Sequence, residues 1–139
     1  MITDSAPVYA TVADLGDGNQ DIIVGNLNSS EISIYRGNGD GTFQAVQHYA
    51  VGSGPYNVAV ADMNNDGILD IVSGNAGSHS ISVLLGNGDE TFQAQREISV
   101  AAGPFSLTAA DLNGDGNVDI AYATNDGLHV LLNVSDFLV

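Results

Sequence analysis

One stretch recurs three times along the chain at nearly constant spacing: PVYATVAD at 7–14, PYNVAVAD at 55–62 and PFSLTAAD at 104–111. The intervals are 48 and 49 residues. Other segments keep the same phase: DIIVGN (21–26) matches DIVSGN (70–75) and DIAYAT (119–124), and GNGDGTFQ (37–44) returns as GNGDETFQ (86–93). A fixed period of this length signals one supersecondary unit stacked on copies of itself, because a single unit cannot bury its own apolar face. The 139 residues hold close to three units, at about 7–52, 55–101 and 104–139, the third cut short.

Each unit reads as strands. In the second unit the segment ending at Asp62 is small and apolar, DIVSG is a continuous β-branched run, SISVLL (80–85) alternates before turning apolar, and FQAQREISV (92–100) alternates throughout. Asn-Gly, Asp-Gly and Gly-Asn pairs between them supply the positive φ that tight hairpin turns demand. No segment carries a 3.6-residue apolar stripe, so helix is nowhere favoured. A four-stranded antiparallel unit of under about 50 residues has the length of a propeller blade and not of a helical repeat. The expectation is an all-β chain of three four-stranded blades, a partial β-propeller. The small, apolar first strand suits the crowded centre and the polar last strand the outer edge.

Charge narrows the partners. Seventeen Asp and Glu face two Lys and Arg, a formal net charge of −15. Such a field repels nucleic acid and anionic membrane and favours cations. Fourteen of the acids are Asp, a residue of turns and caps rather than helix interiors. The absence of cysteine excludes a disulfide framework and a thiolate metal site. No apolar run approaches the roughly 18 residues of a membrane span, and no basic-then-apolar leader opens the chain.

The acid gathers in one loop of each unit. DMNNDGILD (62–70) places Asp62, Asn64, Asp66 and Asp70 at positions 1, 3, 5 and 9, and DLNGDGNVD repeats this with Asp111, Asn113, Asp115 and Asp119. Calcium takes six to eight oxygens, and a loop with side-chain oxygens at 1, 3 and 5, a main-chain carbonyl at 7 and a carboxylate beyond can wrap it. Ile68 and Asn117 then contribute carbonyls rather than side chains. The first unit's DLGDGNQD is one residue shorter, keeping Asp14, Asp17 and Asp21 with Asn19 in the carbonyl place; its site is expected to be weaker or completed by water. The competing reading is an Asx-rich turn whose side chains cap their own backbone.

Catalytic signatures are lacking. His48, His79 and His129 have no HExxH spacing and fall on an outer strand, a hairpin and a third strand; no G-x-S-x-G elbow occurs, and GNGDG lacks the lysine of a phosphate loop. A glycosidase pair is indistinguishable among so many aspartates, yet an acid whose oxygens hold calcium stays ionised and donates protons poorly. NSS (28–30) and NVS (133–135) match the glycosylation pattern at a frequency expected by chance.

The loops precede a strand rather than the helix of an EF-hand or dockerin, cysteine-rich thrombospondin repeats are excluded, and no glycine-rich nonapeptide period occurs. From Pro7 to Asn133 the chain resembles the FG-GAP or VCBS repeat, the calcium-bearing blade of integrin-α-like propellers and of some fungal and bacterial propeller lectins. DMNNDGILDI, DLNGDGNVDI, YRGNGDGTFQ and LLGNGDETFQ carry the resemblance. It implies an extracellular or cell-surface setting, a loop between the first two strands of each blade, and a binding or adhesion role without catalysis, lectin-like in some relatives. Alternatives are a purely structural half-propeller, a fragment of a larger ring, or the accessory domain of a carbohydrate-active enzyme. Against a sugar ligand, Trp is absent and aromatics make up 6%. Such rings close with about six to eight blades, so a homodimer closing a six-bladed ring is expected, with MITDS or SDFLV as an outer strand.

Overall fold

The computed structural model describes residues 6–133. Among these, no helix forms, and eleven strands build three antiparallel sheets. Blade 1 runs in order β1 (Pro7–Ala13), β2 (Asp21–Asn26), β3 (Glu31–Tyr35) and β4 (Gln47–Ala50). Blade 2 repeats it with β5 (Pro55–Ala61), β6 (Asp70–Asn75), β7 (Ser80–Leu84) and β8 (Arg96–Ser99). Blade 3 has β9 (Ser106–Ala110), β10 (Asp119–Thr124) and β11 (Gly127–Leu131). The expected outer strands from MITDS or SDFLV lie outside the described residues.

Register repeats with sequence. Ala13 pairs with Asp21, Ala61 with Asp70 and Ala110 with Asp119, so the acidic loop joins the first and second strands of every blade. The last strand is shorter than FQAQREISV suggests: β8 covers only Arg96–Ser99, and Phe92 instead makes an isolated bridge with Gly86. The reason is packing. Phe92 turns inward and meets Tyr49 of blade 1 edge-on, with ring centroids 5.5 Å apart.

Blades stack face to face, and their first strands β1, β5 and β9 lie against one another in succession. Ile23, Ile32, Ile34 and Val51 on the forward face of blade 1 form one core with Val58, Ile71, Leu84 and Phe92 on the rear face of blade 2. A second core joins Met63, Val72, Ile81 and Val83 of blade 2 to Leu107, Ile120 and Tyr122 of blade 3. Two glycines set the approach. A Cβ on Gly25 would stand 3.1 Å from the Pro55 carbonyl oxygen, and one on Gly74 would stand 2.8 Å from Leu107 and 3.2 Å from Pro104. Pro55 and Pro104, which open blades 2 and 3, thus nest in a glycine gap of the preceding blade.

Candidate functional site

The loops carry two kinds of aspartate. The closing ones, Asp21, Asp70 and Asp119, each lead a second strand and are fully buried. Asp70 accepts the Met63 amide at 2.7 Å and the Gly86 amide at 2.8 Å. Asp119 does the same for Leu112 (2.9 Å) and Asn133 (2.8 Å). Asp21 takes Leu15 (3.1 Å) and Gly37 (2.9 Å). In every blade this carboxylate ties the loop's start to the chain leaving the third strand, satisfying two amides that no strand ladder reaches.

The remaining acids lie at the surface and hold the loop's own backbone. Asp62 accepts the amides of Asp66 and Gly67 at 3.1 and 2.8 Å, Asp111 those of Gly114 and Gly116 at 2.7 and 3.0 Å, and Asp14 those of Gly16 and Gly18 at 2.9 and 3.0 Å. The fifth position caps the seventh identically in all three: Asp17 to Asn19, Asp66 to Ile68 and Asp115 to Asn117, each at 2.8 Å. Asn64 and Asn113 bond Asp66 and Asp115 at 3.0 and 3.1 Å through their side-chain amides. Glycine is required at the sixth place, where Gly18, Gly67 and Gly116 have φ of 87°, 82° and 89°. Both turn and cage readings therefore use the same residues, and the turn is what the described conformation displays. No three Asp, Glu or His side chains converge among the described residues.

Electrostatics distinguish the groups. Burial pushes the Asp70 carboxyl up, its two amide bonds oppose that, and the negative charges of Asp66 and Asp62 push it further up. Asp111 is held below the ordinary carboxylate range by the amides of Gly116 and Gly114, and Asp17 by the Asn19 amide and side chain. The donor set is all oxygen, anionic and electrostatically coupled, which fits a hard divalent cation in kind. Apart from Asp14 Oδ1, which takes two amides, each oxygen of the surface loop carboxylates keeps a lone pair beyond the one its nitrogen donor uses. Any ligating role for the buried closing acid would have to share oxygens already bonded to two amides.

Blade 1 departs from this plan at its loop. Ile68 of blade 2 fills the space over the following hairpin, its side chain 2.7 Å from where a Gly86 Cβ would stand and 3.0 Å from that of Gly88. The repeat's counterpart, Asn19, also reaches its hairpin, with Oδ1 2.5 Å from where a Gly39 Cβ would stand, and a cavity of about 410 Å³ lies beside it, lined by Gly18, Asn19, Gln20, Thr42 and Phe43. Between blades 2 and 3 the Asn65 side chain crosses to Asn117 at 3.0 Å. The shortened first loop has no such bridge, and a cleft of about 320 Å³ lies between Asp14, Leu15 and Gly16 on one side and Gly67, Ile68, Leu69 and Gly88 on the other.

Arg36 is a residue the sequence reading missed. It is 2% exposed and pairs with Asp21 at 3.1 Å, while its other terminal nitrogen donates to the Glu90 carbonyl of blade 2. The signal was available: one of two basic residues stands where the repeat has Leu85 and Leu132. The histidines sit as expected. His48 on β4 lies 3.3 Å from Glu31, His79 is exposed in a hairpin, and His129 on β11 stacks on Tyr122 and lies 3.1 Å from Asp126. Of the two glycosylation patterns, Asn133 is buried with its side-chain amide bonded to the Met63 carbonyl at 2.8 Å, whereas Asn28 is exposed.

The FG-GAP-like repeat profile matches residues 14–73 and again 62–122, each match running from one acidic loop through the next. The chain belongs to the FG-GAP-like repeat family. Its repeats are these blades, and the loops that open each match are the ones described above. Comparison with curated proteins gave no match. Among solved structures, the chain is similar to an Agrocybe aegerita lectin whose structure is described as the basis of specific recognition of non-reducing terminal N-acetylglucosamine. Identity is 28% over 92% of this chain, with a TM-score of 0.59. The match spans only 35% of that lectin's length. Among the described residues no helix is long and apolar enough to cross a membrane.

Proposed function

We propose that this FG-GAP-like chain is a non-catalytic binding module of an extracellular propeller, with calcium in its acidic loops and a glycan as its ligand. The observation that carries the glycan reading is the lectin likeness, which extends over 92% of the chain at 28% identity. The cleft between the first two loops supports it. Its lining is mixed, with Leu15, Ile68 and Leu69 beside Asp14 and three glycines, and its volume of about 320 Å³ falls in the range of small-ligand sites. A glycan array run with millimolar calcium tests this: binding to glycans ending in N-acetylglucosamine is expected, and an array without hits contradicts it.

Calcium is supported by the donor set and by the electrostatics of the loop. Asp62, Asn64, Asp66 and the Ile68 carbonyl in blade 2, with Asp111, Asn113, Asp115 and the Asn117 carbonyl in blade 3, are the ligands proposed. A cation there relieves the repulsion that Asp62 and Asp66 impose on Asp70. Asp14, Asp17 and the Asn19 carbonyl form a poorer set in blade 1. Asp21, Asp70 and Asp119 contribute charge from inside each blade. Extracellular calcium modules work at millimolar ion, which agrees with such exposed loops and with the family's usual setting. Ion bound only by the folded state raises the melting temperature by mass action, so chelation should lower it; an unchanged melting curve contradicts the assignment.

A further inference from the structure

The two ends of the blade stack are unequal halves of the interface that already holds the stack together. In blades 1 and 2 the forward faces are closed: Leu15, Ile32 and Ile34 of blade 1, and Met63, Ile81 and Val83 of blade 2, are between 0% and 7% exposed. Their counterparts in blade 3 are Leu112, Leu128 and Val130, exposed at 48%, 75% and 53%. Rear faces show the converse. Val58 and Phe92 of blade 2 are 2% and 9% exposed, whereas blade 1 offers an open apolar groove along Pro7, Val8, Tyr9 and Ala10, with Val12 at 57% and Phe43 at 40%. Isolated apolar residues at a surface need no account, but a contiguous open sheet face marks an interaction site.

We propose that the forward face of blade 3 docks onto the rear face of blade 1 of a second copy of this chain, reproducing the packing between blades 1 and 2. This rests on reading the chain as a propeller section. What names the occupant is repeat equivalence: among the described residues the forward faces of blades 1 and 2 are each covered by the rear face of the next blade, and the rear face left open is that of blade 1. Such a head-to-tail contact, made twice, closes a two-chain ring. The opening proline supplies the register. Pro55 and Pro104 nest at Gly25 and Gly74, and the equivalent pair across the junction is Pro7 of one copy against Ala123 of the other. Ala123 adds a methyl where the internal joints have none, so the junction fits less closely than the joints within the chain. Each copy also carries a formal charge of −15, so association strengthens as added salt or calcium screens the repulsion.

Light scattering on the full chain in calcium tests this, with two substitutions at residues already exposed in the single chain. Wild type is expected at twice 14.3 kDa, whereas Leu128→Asp on the forward face and Val12→Asp on the rear face each leave monomers with unchanged circular dichroism. Mixing the two variants restores pairing, because one intact junction remains in the mixed pair. Ala123→Gly tightens association by about tenfold, the effect of removing an overpacked methyl. A well-folded monomer at high protein concentration overturns the proposal, as does an oligomer indifferent to both aspartate substitutions. Calcium and glycan titrations on the monomeric variants are read separately, so a monomer that still binds them sinks the docking and leaves the binding-module reading standing.

Discussion

Blades 1 and 2 have the same strands, the same register and the same buried carboxylate, yet they solve three local problems differently. Blade 1 backs its closing acid with Arg36, where blade 2 has Leu85 and relies on two amides alone. Over the following hairpin blade 1 places the polar Asn19, with a cavity of about 410 Å³ beside it, where blade 2 places the apolar Ile68. Finally, Asn26 Oδ1 is buried without a hydrogen-bond partner, whereas the equivalent Asn75 oxygen accepts from Ser73 at 3.0 Å, the residue replaced in blade 1 by Val24. The shared features are those that tie loop to strand. These three differences lie in side chains that fill or partner what the clasp has already fixed, and even the one-residue shortening of the first loop leaves the clasp in place.

The comparison can be broken most forcefully at the closing acids. Asp70→Ala strands two buried amides and should cost about 2–6 kcal/mol in urea unfolding, at roughly 1–3 kcal/mol for each unsatisfied donor. Asp21→Ala should cost more, because it also leaves the Arg36 guanidinium buried without its partner, a loss of about 3–5 kcal/mol for such pairs. If the two variants are equally stable, the guanidinium adds nothing.

Arg36→Leu installs the residue found at Leu85 and Leu132 and keeps both amide bonds to Asp21. Because Asp21 then stays buried on its two amides alone, the arrangement that already serves Asp70, the loss should fall below the about 3–5 kcal/mol expected when a buried pair loses one partner. A large loss would mean that blade 1 depends on its ion pair in a way blade 2 does not. Glu90 holds φ at 69°, where blade 1 has Gly41 at 87°. Glu90→Gly should raise the unfolding midpoint, with a gain of about 1 kcal/mol from relieved left-handed strain.

The smallest effect lies where the blades agree. Thr42 and Thr91 each donate hydroxyl and amide to Asp40 and Asp89, and these bonds, the hydroxyl foremost, hold both carboxyls below 3.8. A depressed folded value means stability that is present above 3.8 and lost as pH falls through the folded values. Both groups are fully exposed, so the effect is small: Thr91→Val should lower the melting temperature slightly at neutral pH, and its difference from wild type should vanish as pH falls below about 4.

How much of this was legible in the sequence follows from its physical origin. Strand order, loop placement and blade stacking were readable because they repeat: a 48- or 49-residue period with Gly18, Gly67 and Gly116 in phase leaves few alternatives. The sequence marks the same four candidate positions in each loop, but not their division of labour. Asp62 and Asp70 look alike as letters, and only the fully buried run that follows Asp70 shows that it travels inside with the strand. The shortening of the outer strand was hidden because FQAQREISV alternates convincingly, while Phe92 is claimed by Tyr49 of the neighbouring blade, a contact across 43 positions (92 minus 49) with no local sign. Arg36 is visible only position by position between repeats, where it stands against Leu85 and Leu132, and vanishes in a net charge of −15.

We propose that one repeated loop serves as both turn and cation site, its surface acids holding the ion and its closing acid committed to the fold. Calorimetric titration of calcium into chelator-stripped protein tests it most directly. The expected result is two similar sites, from the loops at 62–70 and 111–119, with a weaker third from 14–21; Asp66→Ala should remove one of the two similar sites while the protein stays folded. Absence of binding at millimolar calcium, or a full complement of sites after Asp66→Ala and Asp115→Ala together, would contradict it.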